Sequence, residues 1–597
     1  YFHNVLCLSE AKGMDIIMKN LKQTDPVLVE IVGNLMLSIA EETCLSIIKS
    51  AYSTNIKERR DVSAAVVGPE GDLVAQADYL PIHLNAFLTF IPYIYDHFDR
   101  KGIKSGDMFI GNDPYHGGGN HLPDIVVAMP VFGGGEIIGW IVNMAHHSDI
   151  GGMVPGSTSS YADSIFQEGI RIPVIRICNE GKLNEDVFNL LLGNTRVREE
   201  REGDLTAQIS SNRVGARRME EAYEKYGERL LSCMEEMQTY SERRLRAAIA
   251  NVPDGVYSYT DYLDDGGDND PDPQKVSVDI RVNGDSIVFD FTNTCKQLAA
   301  PLNISYNTLL ASCFYSLKAL FGADIPATSG IFRVFDVVAP KGSLVNPIDP
   351  APLGLTINAA QRLPDVIFGA LADVAGDRAM AGCNSTCQTT VFTREDPKRP
   401  GSTLICHEAI AGASRWADGL SAVQVHMTNT SNMPIEAMET EFPILMIKKY
   451  ALRTDSGGAG RFRGGLGIDR EFEMLMDGIS CKATGDRQKY APYGLDGGHE
   501  GATGAFYRER DGIRIRLPGK STGNKMEKGE ILVALTPGAG GFGDPKLREP
   551  ERVLADVADG YVSLESARRD YGVVVLRDAD GICALDAEAT RALREES

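Results

Sequence analysis

Apolar residues recur at helical spacing in two long stretches of this chain and alternate in a third. Leu28, Val32, Leu35 and Ile39 form a stripe that predicts a helix over 26–52, with Asp25 as its cap and Pro26 in the first turn. Residues 60–175 then carry short apolar runs broken by glycine and proline. Runs at 64–67, 125–132 and 137–144 read as buried strands. A second long helix is predicted over 214–249. Its stripe of Met219, Tyr223, Tyr226, Leu230, Met234 and Met237 reads as core packing rather than a cofactor surface. Pro253-Asp254-Gly255 ends that pattern and marks a boundary. Beyond it Val276, Val278, Ile280 and Val282 alternate, Asn283-Gly284 signals a type I′ turn, and Ile287, Phe289 and Phe291 alternate again, so a hairpin is expected. Glycine-rich stretches at 455–469 and 537–545 read as ordered loops. From Pro550 the chain reads as a charged, helical, peripheral tail. The sum is an α+β (mixed α/β) multidomain fold, with mixed sheets, long helices and a helical C-terminal tail. Its units are expected at 18–253, 254–548 and 549–597.

Bulk properties narrow the function. The 597 residues exceed one core, and 43% hydrophobic with 24% charged residues reads as soluble and globular. The formal net charge of -22 argues against nucleic acid or an anionic membrane as partner. No run approaches 18 uninterrupted apolar residues, so no membrane span is expected. The first 13 residues contain no methionine and no basic start followed by an apolar run. No signal peptide is therefore expected, Met14 and Met18 are candidate starts, and the cytoplasm is the expected location. The 11 cysteines are scattered, and reduced thiols are the favoured reading. Cys383 and Cys387 form a lone C-x-x-x-C, a weak zinc signal without a second pair.

Candidate chemistry concentrates in one region. Of 10 histidines, His116, His121, His146 and His147 fall within residues 116–149. His121 is followed by Asp124, and His147 by Asp149. This nitrogen and oxygen set suits Zn, Mn or Fe, with room for water or substrate. His121, Asp124, His147 and Asp149 are therefore the candidate metal ligands and catalytic residues. His146, one residue off the strand alternation, is expected to support the site or to replace His147, and His116 is a further alternative. Gly117-Gly118-Gly119 allows close backbone approach to an anion and equally reads as a turn. Arg59 and Arg60, in a Glu58–Asp61 charge run, could hold an anion or could simply be solvated. Gly519-Lys520-Ser521-Thr522 resembles the end of a phosphate loop, but Arg514 stands where its first glycine belongs, so no nucleotide site is expected. Asp268, Asp270 and Asp272 resemble the start of a calcium loop, but Pro273 replaces the turn glycine, and a solvated acidic loop is the better reading.

Several ordered motifs make the chain similar to the hydantoinase B/oxoprolinase family. They are Asn55-Ile56-Lys57-Glu58-Arg59-Arg60-Asp61, Gly111-Asn112-Asp113-Pro114, His121-Leu122-Pro123-Asp124 and His146-His147-Ser148-Asp149-Ile150-Gly151-Gly152. Further on come Thr428-Asn429-Thr430, Pro434-Ile435-Glu436, Arg453-Thr454-Asp455-Ser456-Gly457-Gly458-Ala459-Gly460 and Gly540-Gly541-Phe542-Gly543-Asp544-Pro545. The resemblance implies a metal-binding catalytic subunit of an ATP-dependent multisubunit complex. ATP would be bound by a hydantoinase A-type partner, with a second B-type chain and a small zinc-binding subunit as further possible partners. It implies a ketone carboxylase of the acetone or acetophenone type, by a slight preference, or a cyclic-amide hydrolase acting on hydantoins, 5-oxoproline or lactams. A non-catalytic scaffold subunit and a stand-alone metallohydrolase are the remaining alternatives.

Overall fold

The computed structural model describes residues 25–267, 270–394, 401–407 and 409–595. The candidate starts Met14 and Met18, and Asp268 of the acidic loop, lie outside them.

Helix α1 (Pro26–Ser50) opens the described chain, and the Asp25 side chain accepts a hydrogen bond from the Val27 N–H, as its cap position predicts. By length and composition α1 is apolar enough to cross a membrane. Here it packs on a seven-stranded antiparallel sheet, burying Val32, Met36, Ile39, Cys44 and Ile47. The sheet runs in the order β2 (Leu73–Gln76), β1 (Val62–Val67), β5 (Glu136–His146), β4 (Asp124–Gly133), β3 (Met108–Gly111), β6 (Ile175–Asn179) and β7 (Lys182–Leu183). Its central strands are apolar at nearly every position because both faces are covered. Ala64, Val66, Ile141 and Ala145 face α1, whereas Ala65, Val67, Val126, Val142 and Met144 face a second core with helix α2 (Leu84–His97).

The second long helix ends at Ile249 as expected but differs at its start and in the middle. It begins at Arg198 and is two helices, α3 (Arg198–Tyr226) and α4 (Glu228–Ile249). Gly227 separates them with φ 57 and ψ -142, backbone angles that side chains with a Cβ rarely adopt. The predicted stripe is core: Met219, Leu230, Met234 and Met237 are buried, with Tyr223 and Tyr226 packed against them.

The expected hairpin forms as β9 (Gln274–Asn283) and β10 (Ser286–Asp290), between β8 (Gly255–Leu263) and the parallel β11 (Phe335–Val338). Its turn is displaced by one residue. Asn283 pairs with Ser286, so Gly284 and Asp285 are the central pair. Only Gly284 has positive φ, the pattern of a type II′ rather than a type I′ turn. Helix α6 (Arg362–Leu371) covers this sheet, and α5 (Tyr306–Phe321) packs against α6 and α2.

Two further antiparallel sheets follow. One is β13 (Gly401–Cys406), β12 (Thr389–Arg394), β16 (Ile479–Thr484), β19 (Lys520–Met526). The other is β14 (Leu445–Leu452), β15 (Ile468–Met474), β20 (Ile531–Leu535), β17 (Ala505–Arg510), β18 (Ile513–Leu517). Phe392, Phe472, Cys481, Phe506 and Leu532 fill the space between them. Lys520 of the phosphate-loop look-alike lies in β19, with its Nζ 2.9 Å from Asp265. The two glycine-rich stretches are one structure. Their backbones touch so closely that a Cβ on Gly538 would lie 1.7 Å from the Ser456 carbonyl oxygen, and one on Gly464 would lie 2.0 Å from that of Ala539.

The C-terminal segment is not wholly helical. Helices α7 (Pro550–Ala558), α8 (Leu564–Arg569) and α9 (Ala587–Glu595) enclose a hairpin of β21 (Val575–Arg577) and β22 (Cys583–Leu585). Val553, Val557, Ala567, Tyr571 and Val573 form its small core. Buried Arg548 ties it inward through Asp418 and Asp556, each at 2.7 Å.

Candidate metal centre

Strand register builds the site. Asp124 opens β4 and His146 closes β5, and the two are direct cross-strand partners. Val62 of β1 pairs with Ala145, which brings Asp61 beside His146, and the His146 N–H donates to the Asp61 carbonyl at 3.1 Å. Adjacent positions on antiparallel strands share a face. Asp61, His146 and Asp124 thus form a row at one end of the sheet, on the face of Val126 and Met144. His121 reaches the row from the loop before β4, and His83 from the turn Pro81–His83 that leads into α2. One ligand atom from each of His121, Asp124 and His146 lies within 4.8 Å of the others. His121 Nε2 is 3.4 Å from Asp124 Oδ1, and His83 Nε2 is 3.9 Å from the same oxygen and 4.0 Å from Asp61 Oδ1.

Neighbouring groups orient these side chains. The Gly354 carbonyl, 3.3 Å away, accepts from His121 Nδ1, which assigns the proton to Nδ1 and leaves the Nε2 lone pair for an ion. Asn55 donates through Nδ2 to the His146 carbonyl at 2.8 Å and accepts from Arg59 at 2.9 Å, while Arg59 pairs with Asp61 at 2.9 Å. Ser63 Oγ lies 3.0 Å from His83 Nδ1.

All five groups are buried. Burial pushes the His146 imidazole down to about 4 and also lowers that of His83. For His121, burial works downward but the Asp124 charge prevails and raises it. Burial opposes ionisation of Asp124, yet the surrounding His121, His83 and His146 hold its carboxyl well below the usual range. Two nitrogen donors, an ionised carboxylate and a second carboxylate alongside are the donor chemistry of a borderline divalent cation. The residues present therefore fit such an ion.

A cavity of about 50 Å³ lies over the cluster, large enough for an ion and a few waters. Asp61, His83, His121, Asp124 and His146 line one side. The other side comes from distant segments, with Thr356, Asn358, Thr389, Thr428 and Lys482. Lys482 Nζ donates to Thr158 Oγ1. Thr356 Oγ1 and Asn358 Oδ1 are buried without a hydrogen-bond partner among the described residues, although buried polar atoms normally have one.

The structure redistributes the residues picked from sequence. His121 and Asp124 stand in the cluster, and His146, expected to support the site or to replace His147, is the third residue of the group. His147 and Asp149 do not reach it. Strand alternation turns His147 to the opposite face, where Nε2 meets Gln208 Oε1 at 2.8 Å and Nδ1 meets the Arg201 guanidinium. Asp149 pairs with Arg196 at 3.0 Å and accepts from the N–H groups of Gly151, Gly156 and Arg196. His116 is half exposed and pairs with Asp113 at 3.0 Å, away from the cluster. Arg59 lines the cavity but Arg60 is exposed. Gly118 and Gly119 do not line it. A Cβ on Gly119 would lie 2.4 Å from the Asp124 carbonyl oxygen, so this glycine allows the loop to pass under Asp124. Sequence reading missed His83 and Asp61. Asp61 stood in plain view beside Arg59 and Arg60, whereas isolated His83 carried no motif.

A family model for hydantoinase B/oxoprolinase matches residues 25–545, and the chain belongs to that family. A protein of Pseudomonas sp. (strain NS671), named as the B-type chain of a D-/L-hydantoinase, is 32% identical over 98% of this chain and 100% of its own length. The solved structure of the ATP-dependent caprolactamase from Pseudomonas jessenii superposes with a TM-score of 0.88 at 29% identity, covering 96% of this chain and 100% of that one. Nucleotide-free acetone carboxylase superposes with a TM-score of 0.90 at 20% identity, covering 96% and 83%, which is a likeness of fold.

Proposed function

We propose that this chain is the metal-binding catalytic subunit of an ATP-dependent complex, and that it opens a cyclic amide activated by an A-type partner. The observation that carries the proposal is the buried convergence of His121, Asp124 and His146, with His83 and Asp61 alongside, in a cavity where Thr356 Oγ1 and Asn358 Oδ1 have no hydrogen-bond partner among the described residues. Similarity near 30% over whole chains to a hydantoinase chain and a caprolactamase favours ring opening over the ketone carboxylation weighed first from sequence. The fold shared with acetone carboxylase keeps carboxylation of a ketone with bicarbonate as the second reading.

His121, Asp124 and His146 would hold a divalent ion, Zn, Mn or Fe. A bound ion of this kind polarises a carbonyl oxygen and acidifies water at neutral pH. Arg59 and Lys482 place positive charge around the cavity, suited to an anionic group on an activated substrate. The Thr356 hydroxyl and the Asn358 carbonyl oxygen supply a donor and an acceptor for an amide. His83, kept neutral by burial, can take a proton at Nε2, where Asp61 and Asp124 stabilise the imidazolium that forms. Burial of the whole cluster excludes bulk water and strengthens these charge interactions.

The test is a product screen of the assembled complex. Wild type and His146→Ala are incubated with ATP and hydantoins, 5-oxoproline or lactams, and separately with ATP, bicarbonate and ketones. ATP-dependent ring opening that vanishes with His146→Ala is expected. Product formed only from ketones would move the assignment to the carboxylase. Full activity in His146→Ala would assign the chemistry to the partner and leave this chain as a scaffold.

A further inference from the structure

A second convergence of donors lies outside the cavity just described. Asp365 of α6, Cys383 in the segment that follows, and His426 from a distant loop are all buried, and one ligand atom of each lies within 4.8 Å of the others. We propose that Asp365, Cys383 and His426 form a second divalent-metal site, structural in role and suited to zinc.

Thiolate, imidazole and carboxylate together make a donor set for a borderline-soft ion, different in kind from the nitrogen and oxygen set at His121. His426 Nε2 and Asp365 Oδ1 already face each other at 2.8 Å. Bonds of roughly 2.0–2.3 Å to the ion put tetrahedral donors about 3.3–3.8 Å apart, so small side-chain rotations close the set. The surroundings are arranged as ligand supports are. Tyr315 Oη lies 3.4 Å from His426 Nδ1, so the nitrogen turned away from the ion has a partner that can accept its hydrogen bond. The Gly412 N–H donates to Cys383 Sγ at 3.3 Å, the kind of contact that supports a sulfur ligand. Arg487 does not claim the Asp365 oxygen that faces His426. It pairs more closely with Asp261, at 2.8 Å, than with the other Asp365 oxygen, at 3.5 Å. His426 holds φ 56, a left-handed angle uncommon for a residue with a side chain, and is held there among Asp365, Cys383 and Tyr315. On binding, the Cys383 thiol and the His426 imidazolium release their protons, and the two anionic ligands then balance the ion's charge.

Such an ion would join three segments distant in sequence. It would sit two residues from Thr428, a cavity residue whose Oγ1 accepts from Gln361 at 2.7 Å. The Cys383/Cys387 spacing weighed from sequence does not describe this site. Cys387 is buried with Val391 and Ile357, and the partners of Cys383 come from elsewhere in the chain.

The experiment uses the full 597-residue chain carrying His146→Ala, which disables the first centre, reconstituted with cobalt or zinc. About one ion per chain and a near-ultraviolet thiolate-to-cobalt charge-transfer band are expected. Adding Cys383→Ser should remove both, whereas adding Cys387→Ser should leave both. A His146→Ala chain that takes up no ion and shows no band overturns the proposal, because the cluster is then a hydrogen-bonded network alone. That reading needs no Cys383 variant, so a folding failure of Cys383→Ser does not decide the matter. The first centre is judged separately, by the ion that wild type holds and His146→Ala lacks.

Discussion

His146 and His147 are neighbours in sequence, yet they belong to opposite faces of one sheet, and the two faces treat their polar groups differently. On the α3 face His147, Gln208 and Asp149 are committed to protein partners. Both ring nitrogens of His147 are taken, Gln208 bridges to Asn143 at 2.8 Å, and Asp149 accepts four hydrogen bonds. On the α2 face His121, Asp124, His83 and Asp61 stand 3.4–4.0 Å apart, too far for strong mutual bonds and well placed to share an ion. Buried polar groups that satisfy one another stabilise a fold. Buried polar groups left with free lone pairs indicate a ligand.

The largest test of that contrast is His146→Ala in the assembled complex. It should lose the ion and reduce turnover by on the order of 10³-fold or more, the scale of lost Lewis-acid stabilisation. Its unfolding midpoint should fall little, because His146 shares few bonds within the protein. A variant that kept its ion would break the comparison.

Asp149→Ala should do the reverse. Removing a buried carboxylate that pairs with Arg196 and accepts three backbone N–H groups should destabilise the chain by about 4 kcal/mol, seen in denaturant unfolding. The folded fraction should keep its ion, as measured by elemental analysis. Loss of metal with no loss of stability would place Asp149 back among the ligands.

Glu168 sharpens the boundary between the faces. Its buried carboxylate accepts from the N–H groups of Leu353, at 2.9 Å, and Gly354, at 2.6 Å, and the Gly354 carbonyl in turn orients His121. Burial pushes Glu168 up to about 7, although those N–H groups pull it down. A carboxyl raised on folding binds its proton more tightly in the native state. Its contribution is therefore complete below its ordinary value near 4.5 and declines as pH rises toward 7. The decline amounts to roughly 3 kcal/mol. Thermal unfolding from pH 4.5 to 8 should show it in wild type and not in Glu168→Gln. Parallel pH profiles for the two would show that Glu168 is ionised throughout.

The smallest effect expected is that of Gly119→Ala, which removes no donor atom. Its Cβ would press on the Asp124 backbone and should weaken metal affinity by about tenfold, the lower end of what supporting residues contribute. Unchanged affinity would mean that the loop moves aside.

Local signals were legible wherever local forces act alone. Asp25 and Pro26 start α1, short apolar runs mark β1, β4 and β5, alternation marks the β9–β10 hairpin, and the 219–237 stripe is core. The one-residue shift of the hairpin turn and the break at Gly227 were not legible, because each depends on how the flanking elements pack. The two glycine-rich stretches announced ordered loops but not that each exists to fit the other.

By itself the sequence determined the family, through ordered motifs spread along the chain, and pointed to the neighbourhood of the candidate site, through imidazole and carboxylate crowded into residues 116–149. Which of those residues meet was decided only by the tertiary structure. A shift of one residue along a strand moves a side chain to the other face. Register between β4 and β5 therefore selected His146 over His147, and the pairing of β1 with β5 added Asp61 from a segment distant in sequence. His83, Thr356, Asn358 and Lys482 carry no motif and joined the cavity only because packing brought their segments together.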